Sequence, residues 1–175
     1  MFRGRRADSG LLPPRRPGKE WFVRVAEGAN FTIDHEDDVA VCRLFKRPDL
    51  DPPALAALAR ELVTHARRLS LADGITGMVV DLRRSPSALS PEVETQYAEL
   101  VSVWEATAQR VAFLVLPDSL QRSQLGRIVT ASGGRFASVC LDRNEARSFA
   151  SDGTVRGEGD PRSLSYVHNR PSRAR

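Results

Sequence analysis

The chain has 175 residues, 41% of them hydrophobic and 27% charged, which is enough for one domain with a full core and ordinary for a globular protein. No apolar run approaches the ~20 residues that cross a bilayer, and Leu11-Leu12 runs at once into Pro13-Pro14-Arg15-Arg16, so neither a membrane helix nor a signal peptide is expected and the cytoplasm is the expected address. The net charge of +4 comes from the ends: residues 1–19 carry 6 − 1 = +5, residues 154–175 carry 5 − 2 = +3, and residues 20–153 are left with 4 − 5 − 3 = −4.

Residues 1–19, rich in Arg, Pro and Gly, show no helical or alternating period and are expected to be a disordered basic tail. The domain then covers residues 20–153. "NFTIDHEDDVAVCRLF" alternates on both sides of the acidic turn His35-Glu36-Asp37-Asp38, the pattern of an antiparallel hairpin. Asp51 before Pro52-Pro53 starts a helix, because prolines are tolerated where no amide donor is needed. Leu55, Leu58, Leu62, Ala66 and Leu69 mark its buried face, and Asp73-Gly74 stops it. "GMVVDL" is a continuous apolar strand, as a sheet covered on both faces requires.

Ser90-Pro91 opens a second helix with Val93, Tyr97, Leu100, Val101, Trp104 and Ala108 on its stripe, and Glu92 and Glu94 suit its positive N-terminal end. "RVAFLVLP" is the next strand. Asp118-Ser119 caps a third helix with Gln121 at the capping-box position, and Gly133-Gly134 ends it. "FASVCL" is the last strand, and "DRNEARSFASDG" the last helix, with Asp142 and Glu145 as a capping box. Residues 154–175 read as a second disordered basic tail, with Tyr166 and Val167 as a weak docking point. Strands separated by helices run parallel with right-handed crossovers, so the expected fold is α/β, a mixed sheet with an antiparallel N-terminal hairpin at its edge and parallel strands alternating with helices.

Catalytic signatures are missing from the sequence. No Gly-rich phosphate loop, GxSxG elbow or Asp-x-Asp pattern occurs, and His35, His65 and His168 have no nucleophile beside them. Cys42 and Cys140 sit in apolar strand segments with no CxxC or Cys/His spacing, which makes them packing residues and leaves no metal or other cofactor expected. Asp81 ends a parallel strand, where α/β proteins place chemistry, and Arg83 and Arg84 beside it are the type that grips a phosphate. Ser119 and Arg122 begin the helix after the following strand, hence on the same sheet edge. Asp81, Arg83, Arg84, Ser119 and Arg122 are therefore the expected partner-binding residues.

The element order resembles the STAS domain, the module of anti-sigma-factor antagonists and of the cytoplasmic ends of sulphate transporters. The likeness spans residues 29–152 and rests on "VAVCRLFKRPDLDPPALAAL", "GMVVDLRRSP", "RVAFLVLPDSLQRSQLGRI" and "RFASVCLDRNEARSFA". In particular the chain looks like the divergent STAS-like branch of small stand-alone bacterial proteins. In anti-sigma antagonists an Asp-Leu pair ends the strand and a phosphorylatable serine follows nine positions after the Asp. Asp81-Leu82 supplies the pair and 90 − 81 = 9 lands on Ser90, whereas Leu89, Pro91 and Glu92 depart from the family's acidic, small and glycine neighbours.

Ser90 therefore reads in two ways, as a plain N-cap or, with Ser85 and Ser87, as a candidate phosphosite implied by the resemblance. The first functional expectation is a non-enzymatic protein-interaction domain in bacterial signalling, docking a regulator, kinase or anti-sigma-like factor around Arg83 to Ser90. A second is a small-molecule or lipid site in a cavity between the sheet and the helices carrying Trp104 and Phe149. A third is a tether to nucleic acid or anionic membrane through the basic tails. A homodimer stays open.

Overall fold

The computed structural model describes residues 22–152; both basic tails, with Tyr166, Val167 and His168, lie outside them. The described residues form β1 (Phe22–Glu27), β2 (Phe31–Glu36), β3 (Val39–Leu44), α1 (Pro52–Leu69), β4 (Gly77–Asp81), α2 (Pro91–Ala106), β5 (Arg110–Leu114), α3 (Leu120–Ala131), β6 (Ala137–Cys140) and α4 (Arg143–Asp152). One mixed sheet runs in the order β1-β2-β3-β4-β5-β6. The first two pairings are antiparallel and the remaining three parallel.

The hairpin is β2–β3, with Asp37 at φ 56 in its turn, so His35 and Glu36 are strand residues rather than turn residues. The strand β1 extends this hairpin and had no counterpart in the sequence pattern. Its pairing shifts between Arg24 and Ala26, and such a bulge breaks the two-residue alternation by which a strand is recognised. The same pairing puts Arg24 opposite Asp34.

Each parallel strand lies beside the one before it, so right-handed crossovers deliver α1, α2 and α3 to the same face. There Leu62, Leu100, Trp104 and Leu125 pack on Ile33, Cys42, Met78, Val80 and Phe113. Helix α4 follows the last strand and covers the opposite face, where Ala146, Phe149 and Ala150 meet Val39, Val41, Val79, Ala112 and Leu114. Trp104 and Phe149 thus belong to different sides of the sheet, and a cavity shared by their helices is ruled out by that layering. Cys42 and Cys140 are likewise in separate clusters, both free and buried. Burial pushes both thiols up, Cys140 to about 12, as expected of packing residues.

The helix starts follow the sequence with one exception. Asp51 Oδ1 accepts the Ala54 N–H at 2.8 Å, Ser90 Oγ accepts the Val93 N–H at 3.4 Å, and Asp142 Oδ1 accepts the Asn144 and Glu145 N–H groups at 2.8 and 3.0 Å. At α3 the cap is Ser119, whose hydroxyl bonds back to the Leu116 carbonyl at 2.9 Å and caps no amide. Gln121 makes no capping box, because its side chain is engaged across the molecule with the segment after β4. Ala108 lies beyond the end of α2, at φ 57.

Candidate functional site

Parallel strands present their carboxyl ends on one edge, and the segment from Asp81 to Ser90 forms the centre of that edge. Its first turn is a local ion clamp. Arg83 donates from Nε and Nη2 to the two Asp81 carboxylate oxygens at 2.9 and 2.7 Å, and its backbone N–H reaches Oδ1 at 3.2 Å. Burial alone would raise the Asp81 carboxyl, but the side-chain and backbone bonds from Arg83, with the charge of Arg43, hold it below its ordinary value. Asp81 is thereby an anchored anion, with its lone pairs used to hold Arg83.

The following residues are stitched to α3. The Gln121 side chain donates to Ser85 Oγ at 2.6 Å and to the Pro86 carbonyl, while its backbone N–H reaches the Ser87 carbonyl at 3.2 Å. Gln124 holds both backbone groups of Leu89, accepting its N–H at 2.9 Å and donating to its carbonyl at 2.8 Å. Both glutamines are buried. A buried amide is costly unless bonded, so these two side chains fix the path of the segment.

This stitching separates the three serines. The Ser85 hydroxyl is occupied by Gln121 and the Leu82 carbonyl, and Ser90 sits at its helix cap. Ser87 alone of the three is exposed, with its carbonyl held by the Gln121 N–H. A phosphoryl group on Ser90 would meet Glu92, whose carboxyl its own backbone N–H and the Ser90 hydroxyl already hold below the usual range. Ser119 and Arg122 lie at the start of α3 on the same edge. Arg122 donates to the Pro117 carbonyl at 3.3 Å, and Arg84 has no side-chain partner among the described residues.

Three exposed leucines share this edge. Leu116 follows β5, Leu120 begins α3 and Leu141 follows β6, at 50%, 58% and 40% exposure. β5 and β6 are neighbouring strands, and the Val115 N–H bonds the Cys140 carbonyl at 3.1 Å where they end. Nothing in the spacing of the sequence marked these leucines, because Leu116 and Leu141 fall in connections and Leu120 is the first residue of α3, where periodicity carries little signal.

Two hollows flank the 81–90 segment. On the helix-rich face an apolar groove of about 170 Å³ lies between α1 and the segment, lined by residues including Phe31, Leu55, Pro86, Leu89, Val93 and Tyr97. Its polar members are Asn30, Ser85 and Ser90, and Asn30 Oδ1 is buried with no partner. On the α4 face a charged cleft of about 220 Å³ has a floor of Val41, Val79 and Leu114 and walls of Arg43, Arg83, Arg84, Arg143 and Arg147, with Glu36 and Asp81.

The cleft belongs to a chain of ion pairs. Asp34, 2% exposed, accepts from Arg24 at 2.6 Å and Arg43 at 2.5 Å. Glu36 takes bonds from Arg43, from Arg143 at 2.9 Å and from Arg147 at 3.3 Å, and Arg147 also reaches Asp37 at 2.5 Å. Burial works to raise the Glu36 carboxyl, yet Arg43 and Arg143 outweigh it and hold it low. The sequence reading missed Asp34, Glu36, Arg43, Arg143 and Arg147 as a group. The available signal was the alternation in "TIDHE", which puts Asp34 and Glu36 on one strand face.

Among the described residues no group of His, Cys, Asp and Glu could hold a metal ion, and no helix is long and apolar enough to cross a membrane. Of the sequence-predicted site residues, Asp81, Arg83 and Arg84 line the charged cleft, Ser85 and Ser90 line the apolar groove, and Ser87, Ser119 and Arg122 lie outside both. Comparison with protein-family models, with curated proteins and with solved structures finds no match to this chain.

Proposed function

We propose that the chain is a non-enzymatic interaction domain of STAS-like type that docks a protein partner through the carboxyl edge of its sheet, in the cytoplasm and within a regulatory complex. The observation that carries this reading is the exposure of Leu116, Leu120 and Leu141 on one edge beside Arg84 and Arg122. Exposed apolar groups flanked by arginine are the composition of a protein interface core, and a cluster of them in water has no stabilising role of its own. The glutamine stitching favours docking, since a preorganised edge loses little entropy when a partner binds. Ser87, exposed on that edge, is the serine at which a phosphoryl group would add negative charge to the contact without displacing an existing bond.

The test is a pull-down from native extract with Leu120→Glu and Arg122→Glu compared with the unaltered chain and with Leu71→Glu. Leu71 is exposed but follows the C-terminus of α1, at the opposite end of the sheet. A partner retained by Leu71→Glu and lost by both edge variants supports docking at this edge. Recovery that is equal for all four chains refutes it.

The apolar groove offers a second reading, favoured by the unpartnered buried oxygen of Asn30. At about 170 Å³ it falls below the ~300 Å³ of an ordinary ligand pocket, so its occupant would be a small apolar molecule with one hydrogen-bond donor rather than a lipid chain. Native mass spectrometry of the purified chain checks this directly, a bare mass speaking against it.

A further inference from the structure

We propose that the arginine-walled cleft under α4 is a binding site for a small oxyanion, the phosphate group of a compact ester or phosphate itself. This site shares Arg83 and Arg84 with the docking edge, but it is argued from the cleft alone and does not depend on the reading given above. It faces the opposite side of the 81–90 segment from the apolar groove, and none of the three edge leucines lines it.

The charge count begins with the lining residues, five arginines against Glu36 and Asp81, or 5 − 2 = +3. Asp34 and Asp37 hold Arg43 and Arg147 from outside the cleft, and including them leaves 5 − 4 = +1. The distribution of that excess decides the matter. Arg83 is spent on Asp81, and Arg43 and Arg147 are shared between carboxylates. Arg143 uses only Nη2, toward Glu36, and Arg84 uses none of its donors. Spare guanidinium donors thus border a hollow whose two carboxylates already accept from arginines, Glu36 from Arg43, Arg143 and Arg147 and Asp81 from Arg83.

Size narrows the ligand. About 220 Å³ corresponds to roughly seven water volumes, enough for a tetrahedral oxyanion and a few further atoms but too little for a nucleotide. The floor of Val41, Val79 and Leu114 provides no hydrogen-bond acceptor from its side chains, so the bound group must bring its own oxygens. Guanidinium matches a phosphate with two parallel N–H bonds, and the low-dielectric floor strengthens that attraction relative to water. The Asp142 carboxylate occupies the first amides of α4, so the arginines, not the helix end, supply the donors.

The experiment is an NMR titration of the full chain with inorganic phosphate, with sulfate and with glycerol 3-phosphate, and with sodium chloride at matched ionic strength. Saturable shifts confined to residues 41–45, 81–84 and 143–147 are expected, with Arg84→Ala weakening binding about tenfold or more, the scale of one lost charge-assisted hydrogen bond. Arg84 has no partner to lose, so this variant keeps the fold. Arg143→Lys, which retains charge but not the fork, is expected to weaken binding less, and Arg122→Ala not at all. Equal affinity for phosphate and the ester identifies the free anion as sufficient; tighter ester binding shows that the floor contributes. Shifts that never saturate, that chloride reproduces, or that Arg84→Ala leaves unchanged overturn the proposal.

Discussion

Gln121 on α3 donates to Ser85 Oγ at 2.6 Å, joining the first turn of that helix to the connection that leaves β4. The same side chain bonds the Pro86 carbonyl, and it is 2% exposed, so its amide has no water to fall back on. Replacing Gln121 with alanine leaves the Pro86 carbonyl short of a donor. The expected cost is about 1–3 kcal/mol in urea unfolding, with faster amide exchange at Ser87 and Leu89. Unchanged exchange in that segment would show that Gln124 suffices to hold it.

Ser90 and Ser87 are predicted to respond differently to the same change. Ser90→Ala removes a helix cap whose bond is long, 3.4 Å, and is expected to cost about 0.5–1 kcal/mol, the low end for such caps. Ser87→Ala touches no side-chain bond and is expected to stay within about 0.5 kcal/mol of the parent. Thermal unfolding of both variants checks the contrast.

Acid should loosen the ion-pair face. Glu36 and Asp81 both have folded pKa values below the unfolded ones, because Arg43, Arg143 and Arg83 favour their charged forms. A depressed carboxyl contributes stability that is complete above its unfolded value and disappears as pH falls through the folded one. The loss therefore begins below about pH 4.5, the ordinary glutamate value, and continues as the pH drops further. Glu36→Gln should lower stability at neutral pH, since a buried ion pair broken on one side is costly, and should flatten the acid limb. Urea midpoints measured across that range read both effects.

Gly77 begins β4 where α4 crosses the sheet. A Cβ at this position would collide with the backbone carbonyls of Ala150 and Arg110, neither of which can swing aside as a side chain does. Gly77→Ala is expected to cost about 1–3 kcal/mol by forcing α4 from the sheet. Exposure of Phe149, followed by dye binding, would accompany the loss.

The legible parts of this fold share one property. Each strand and helix from β2 onward was apparent in the sequence because the element itself imposes a local signal, alternation in "VAVCRLF", a continuous apolar run in "GMVVDL", or 3.6-residue spacing in the Leu55, Leu58, Leu62 stripe. The caps at Asp51, Ser90 and Asp142 were readable for the same local reason. By contrast β1 was hidden by its bulge, and Gln121 resembled a capping residue because its actual partners lie 35 and 36 positions away.

What the sequence determined by itself is the order of elements from β2 onward and the parallel, right-handed connection of the later strands; the strand order that puts α1, α2 and α3 on one face came from the tertiary structure. The tertiary structure decided which charges meet. Asp34, Glu36, Arg43, Arg143 and Arg147 come from two strands and a helix, and their pairing depends on strand register and on α4 lying across the other face. An ion pair between distant positions leaves no periodic trace, since its strength depends on separation and burial in space and not on spacing along the chain.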